Sequence, residues 1–149
     1  MGVGPAGREP AEPAQRLVAR IVDTFVVGLP VVAAAYAALP RATAEIVVPI
    51  GVAAVSLMYE SIQLALWGRT LGKRLSGVVV VSEDGRMGVT RALVRAAVYA
   101  FPIALRPVPV LGAIAGIFWV ANVALMFERP ARRALHDRIA RTRVVGAAS

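Results

Sequence analysis

Two apolar runs of equal length open this chain, each interrupted by a few polar residues that fall on a single helical side. Residues 16–39 read RLVARIVDTFVVGLPVVAAAYAAL, and the part from Leu17 onward is 23 residues long. At about 1.5 Å per residue this is ~35 Å of helix, enough to cross a hydrocarbon slab of roughly 30 Å. Arg16, Arg20 and Asp23 stand at i, i+4 and i+7, so the three charges share one face. The second run, residues 45–67, is again 23 residues and carries Ser56, Glu60, Gln63 and Trp67 at i, i+4, i+7 and i+11. Asp23 lies seven residues after Arg16, and Glu60 seven before the end of its run. In an antiparallel helix pair the two carboxyls therefore fall at similar depth, ~10 Å from the same membrane face.

Beyond the second run the pattern changes. Residues 68–88 are polar and rich in turn formers except for four consecutive valines, Val78 to Val81. A β-branched run too short for a helix, leading into Glu83-Asp84-Gly85, predicts a short strand and a turn. Thr90 is the expected cap of the next helix. Residues 96–127 hold a single charge, Arg106, inside the helix-breaking segment RPVPVLG. The region thus divides into helices at about 90–105 and 109–127. Pro130 suits the first turn of a helix, and ARRALHDRIAR behind it predicts a basic amphipathic helix along a membrane surface. Residues 142–145 are a candidate partner strand for 78–81.

Composition sharpens this into a class. Of 149 residues 58% are hydrophobic and mean hydropathy is +0.67, above the roughly 45–50% apolar content of soluble domains. A formal charge of +8 invites a nucleic-acid reading, but a basic excess beside apolar spans is also what membrane orientation requires. Fifteen of the seventeen basic residues fall in the amino-terminal region, the central loop and the tail, leaving Arg41 and Arg106 in the two other turns. All three basic segments lie on one side if residues 90–127 enter the membrane and return. The expected fold is an all-α integral membrane bundle of four membrane-inserted helices, the third short or re-entrant, with a small two-stranded β patch at the cytoplasmic face. Both termini are expected to be cytoplasmic; three crossings with the tail outside is the alternative. Residues 1–15 read as a mobile tail, 16–145 as the membrane domain and 146–149 as a second tail. They lack a cleavable-signal pattern, so the first span serves as the insertion signal, and Ala6 rules out myristoylation at Gly2.

The candidate chemistry is sparse. There is no cysteine, and the lone His136 cannot build a multi-histidine metal site, so His136-Asp137 is not an HD-type hydrolase. Gly72-Lys73 lacks the glycine spacing and the following Ser or Thr of a phosphate loop. No nucleophile with a base and an orienting partner can be assembled, so no enzyme and no cofactor are expected. Asp23 inside a span costs about 2.5–3.5 kcal/mol on insertion scales unless it is sheltered. It is either a proton or cation site tuned by Arg16 or Arg20, or an ion pair that fixes helix rotation. Glu60 beside Gln63 divides between coordinating a cation and bonding across the helix pair. Asp137 is expected to pair with Arg133 or Arg141 on its own helix, or with Arg16. Gly112 and Gly116 predict close helix contact within the chain or between copies.

Taken together, Arg16 with Asp23, GRTLGKRLSGVVVVSEDG at 68–85 and ALHDRIARTRVV at 134–145 resemble the RDD family of bacterial membrane proteins, named for one arginine and two aspartates. By position the resemblance implies Arg16, Asp23 and Asp137 as those residues. Thr70, Gly72 and Lys73 match the family's Thr-x-Gly-Lys pattern, in a cytoplasmic turn whose lysine meets anionic headgroups. Arg20 is an additional basic residue near the first aspartate. The resemblance implies a place in the bacterial cytoplasmic membrane and a transport-associated role, in some members exchange of monovalent cations for protons. So small a chain needs oligomers or a membrane partner to enclose a pathway. A non-transporting accessory or scaffold protein, binding a partner through its helices and basic face, is the alternative.

Overall fold

The structure, a computed structural model, describes residues 8–84 and 87–147. It contains α1 (Pro13–Ala38), α2 (Arg41–Trp67), α3 (Leu71–Leu75), β1 (Val78–Ser82), α4 (Val89–Ala104), α5 (Pro109–Ala124), a 3₁₀ turn (Leu125–Phe127), α6 (Leu135–Ile139) and β2 (Thr142–Gly146). α2 is the central helix, packed on α1 and most extensively on α4; α5 leans on α4, and α3 lies across α1. Pro13 opens α1, where its missing N–H costs nothing, and the Gln15 side chain accepts from the Glu12 amide at 3.2 Å. Gly68 closes α2 in the left-handed region, φ 67°. A side chain there would also press on the Val80 carbonyl, which a Cβ would approach to 3.2 Å.

Among the described residues three segments are long and apolar enough to cross a membrane: α1, α2 and Pro109–Phe127. Only 11–17% of their most apolar stretches is buried inside the chain, and Phe25, Ile50, Met58, Leu66, Ile117 and Val120 are exposed. Apolar surface on this scale needs lipid or another protein. The expected fourth membrane helix is not among the three. α4 has 16 residues, ~24 Å at helical rise, with Pro102 near its end. Its start also differs from expectation, since Gly88 rather than Thr90 is the N-cap.

The expected two-stranded β patch forms, one residue longer in each strand than the sequence suggested. β1 and β2 are antiparallel, from Val78 opposite Gly146 to Ser82 opposite Thr142. Pro10 bridges to Val145 and the Ala11 amide donates to the Val144 carbonyl at 3.0 Å, so the chain's entry covers the second edge of β2. The folded part thus begins before Arg16: residues 10–15 belong to it, while residues 1–7 of the expected tail lie outside the described residues. At the other end Gly146 and Ala147 still donate backbone bonds, to Glu9 and Gly77, and residues 148–149 lie outside the described residues. Ala11, Leu64, Val78, Val80, Ala92 and Val144 form the small apolar core between patch and bundle.

The surface helix expected from Pro130 onward does not form. Pro130 sits in a turn, Arg132 has φ 46°, and helix returns only for α6. The physical reason is Asp137: its carboxylate accepts from the Ala134 amide at 3.0 Å, capping a one-turn helix whose His136 and Asp137 are buried.

Candidate functional site

Where α1, α2 and α4 meet α3, α6 and the β patch, three buried carboxylates meet three buried cations and Arg20, which is partly exposed. Asp23, 5% exposed, is held on every side. Its Oδ1 accepts from the Tyr59 hydroxyl and the Gly72 amide, both at 2.8 Å. Its Oδ2 accepts from the Thr70 hydroxyl at 2.5 Å and has the Lys73 ammonium at 3.7 Å. Among the described residues no arginine pairs with it at ion-pair distance, so the expected Arg16 or Arg20 partner is replaced by Lys73 and three neutral donors. Gly72 explains the closeness: a Cβ there would lie 2.1 Å from the Ala19 carbonyl oxygen and 2.9 Å from the Asp23 carboxyl. Only a residue without a side chain lets α3 deliver its amide to Asp23.

Glu60 takes the arginine instead. Arg20 donates to it through two nitrogens at 2.9 and 3.4 Å, Lys73 through Nζ at 3.4 Å, and Arg95 Nε stands at 3.7 Å. Gln63, expected to share a cation with Glu60, reaches the Tyr59 hydroxyl. Lys73 therefore stands between two acids, 4% exposed, with its Nζ also 3.3 Å from the Thr70 hydroxyl. It does not meet headgroups. Burial lowers its pKa to about 8, with Glu60 opposing that effect. The reason sequence places it wrongly is that Thr70 caps α3 and folds this one-turn helix back under the bundle.

Asp137, wholly buried, pairs with Arg16, as one of the expected alternatives had it, and with Arg95. The Arg133 and Arg141 alternatives do not hold: Arg133 donates to the Asp137 backbone carbonyl, at 3.4 Å. Arg95 also donates to Thr142 Oγ1 at 2.9 Å, and Arg16 to the Arg132 carbonyl. Burial alone would raise the Asp137 pKa, but Arg95 and Arg16 hold it well below the usual carboxylate range. Next to it His136 Nδ1 lies 2.9 Å from Asn122 Oδ1. Burial, reinforced by Arg95, pushes its pKa well below the ordinary value, which keeps the ring neutral. Arg20 stacks on Tyr99 with 3.4 Å to the ring centroid, and Tyr99 meets Trp119 edge-on at 4.3 Å.

The cluster thus joins Arg16, Arg20, Asp23, Glu60, Thr70, Gly72, Lys73 and Asp137, and omits Gln63. Arg95, Tyr59, Tyr99, Asn122 and His136 belong to it without having been expected there. Arg95 was legible in principle, since a charge inside LVRAAVYAF is the same anomaly as Asp23, but counting it as a loop cation obscured it. The glycine pair of α5 does not bind a neighbouring helix of this chain: Gly112 lies against Arg106 of its own turn, and Gly116 meets nothing within 4 Å. Among the described residues no group of three or more acidic, histidine or cysteine side chains is placed to hold a metal ion.

A family model described as the RDD family matches residues 10–141. Searches of curated proteins and of solved structures give no match.

Proposed function

This chain belongs to the RDD family, and from that premise we propose that it is a multi-pass protein of the bacterial cytoplasmic membrane that exchanges a monovalent cation for a proton at Asp23, Glu60 and Lys73. The observation that carries the reading is the position of Lys73, a titratable cation suspended between two buried acids. Its Nζ has Glu60 at 3.4 Å and Asp23 at 3.7 Å, and its pKa is near 8. While Lys73 holds its proton, the ammonium is the counter-ion of both carboxylates. When the proton leaves, one positive charge is lost and a monovalent cation restores it, with Thr70 and the two carboxylates as oxygen ligands. One proton released per cation bound keeps the charge constant, and occupancy by either excludes the other. Lys73 rather than a carboxylate is then the group that couples the two fluxes.

Access is consistent with this. A small cavity beside Asp23, Glu60 and Ser56 shares Thr24, Val52, Tyr99 and Ile103 with a cleft that runs on to Arg106 and Gly112, at the opposite end of the bundle. The stacked Arg20 and Tyr99 stand between that route and a third cavity on the far side. We assign the ionic end to the cytoplasm because the three basic segments converge there. α4 is then a short inserted helix, giving four membrane-inserted helices.

Flux measured with purified, reconstituted protein across Na⁺, K⁺ and Li⁺ at several pH values tests the reading. Asp23→Asn is expected to abolish exchange, and Lys73→Gln to remove its pH response near 8 while the variant elutes like wild type. Normal flux in the first, or an unchanged pH response in the second, removes that residue from the mechanism.

A second reading, a non-transporting accessory or scaffold protein, is favoured by one observation. α5 turns Val110, Ile117 and Val120 outward beside the empty surface at Gly116, a face suited to a second copy or a membrane partner. Co-purification of a stoichiometric partner with no flux by the chain alone would decide for it.

A further inference from the structure

A cavity of about 170 Å³ lies between α1 and α5. These helices do not pair: α1 packs on α2 and α3, α5 on α4 and α6. Arg16, Arg20, Lys73 and Arg95 line the cavity with the neutral Tyr99, Asn122 and His136, while none of the three buried carboxylates does. Its other wall is apolar, with Leu17, Trp119, Val123 and Met126. The charges of the cluster are therefore sorted, with cations facing this space and acids turned away from it.

We propose that this cavity binds a phosphate-bearing anion, in the membrane the head group of an anionic phospholipid whose acyl chain leaves along the apolar wall between α1 and α5. Arg16, Lys73 and Arg95 are buried against three buried carboxylates, and Arg20, its side chain 22% exposed, adds a positive charge beyond that balance in a site largely withdrawn from water, where excess charge is costly. An anion in the cavity supplies the missing charge. Arg95, 1% exposed, lines the cavity, and its Nε has no hydrogen-bond acceptor among the described residues. Guanidinium groups are the side chains whose planar donors best match phosphate oxygens. The volume is below the roughly 300–1,000 Å³ of pockets that enclose drug-sized ligands, so a head group fits better than a cofactor. An arginine wall facing an apolar wall matches an amphiphile, with the charge at one side and the chain at the other. This site shares Lys73 with the proposed exchange site, but it rests on different observations and its test at Val123 replaces no exchange residue, so either reading can fail alone.

The test is thermal unfolding of the delipidated full chain in detergent, with dioleoyl phosphatidylglycerol, dioleoyl phosphatidylcholine or inorganic phosphate added, alongside native mass spectrometry of retained lipid. Two variants are compared. Val123→Trp fills the apolar side and replaces no ionic group, and Arg20→Gln removes one cation from the polar wall. The expected result is a higher unfolding midpoint and one retained lipid per chain with phosphatidylglycerol, a smaller effect with phosphatidylcholine, and loss of both signals in Val123→Trp. A rise with inorganic phosphate that Arg20→Gln abolishes supports the same site and makes the acyl chain dispensable. Equal stabilisation by the two lipids, persistence of the phosphatidylglycerol effect in Val123→Trp, or no effect of any of the three additions overturns the proposal.

Discussion

The two ends of this bundle are built on different principles. At one end the fully buried side chains include Arg95, Leu64, Val78, Val80, Val145, Thr70, Thr142 and Asp137, and nearly every polar atom has a named partner. At the other, the buried positions of α1 and α2 are largely small residues such as Ala35, Ala44 and Ala53, and Gly51 allows the Val31 side chain to come within 3.1 Å of where a Cβ would be. Lipid solvates an apolar side chain about as well as a neighbouring helix does, so burying one there gains little and helices approach through small residues. A charge in the same environment has no such indifference. Conformational definition therefore concentrates where the polar groups are, and the apolar end mainly holds the spans at a distance.

Substitutions at the two ends should separate accordingly. Asp137→Asn is expected to have the largest effect, because Arg16 and Arg95 both lose their buried counter-charge; a loss of about 3–5 kcal/mol is the expectation, read from denaturant unfolding in detergent micelles. Comparable losses from a conservative change at the apolar end would break the contrast. Gly72→Ala is next, costing about 3 kcal/mol, because its methyl group meets a backbone carbonyl that cannot move aside. The matched control is Gly116→Ala, where nothing lies within 4 Å and helix propensity favours alanine by up to about 1 kcal/mol. Opposite signs in the same unfolding assay would sharpen the contrast.

The pH dependence of stability belongs to the ionic end alone. Lys73 has its folded pKa near 8 against 10.5 in the unfolded chain, so between those values the unfolded state binds more protons and stability rises with pH. The gain over the window is roughly 3 kcal/mol, and Lys73→Met should flatten that alkaline limb. On the acid side His136 stays neutral in the fold while the unfolded ring protonates below 6.5. Its contribution is complete above that value and is lost as pH falls, which unfolding midpoints against pH would record. The smallest effect is expected for Arg41→Ala. Its pair with Glu45 is exposed on both sides and should be worth no more than about 0.5 kcal/mol.

Much of this architecture can be read along the chain. The two long apolar helices, the break around Arg106 and the candidate strands at 78–81 and 142–145 follow from periodicity, proline and β-branching, all of them local. The wrong expectations share another origin. Thr90 and Pro130 look like helix starts by local rules, yet Gly88 is the N-cap of α4 and the Asp137 carboxylate caps α6 at the Ala134 amide. Lys73 and Arg95 count along the chain as cations of the central loop, and both are buried.

By itself the sequence determined which segments are long and apolar enough to cross a membrane, and that Asp23, Glu60 and Asp137 need shelter, because hydropathy and the cost of a charge in an apolar medium are properties of single segments. Only the tertiary structure decided which cation shelters which acid. Opposite charges attract without regard to identity, so the pairing is chosen by which elements touch. Gly72 brings Lys73 and Thr70 beneath Asp23, and α4 brings Arg95 to Glu60 and Asp137.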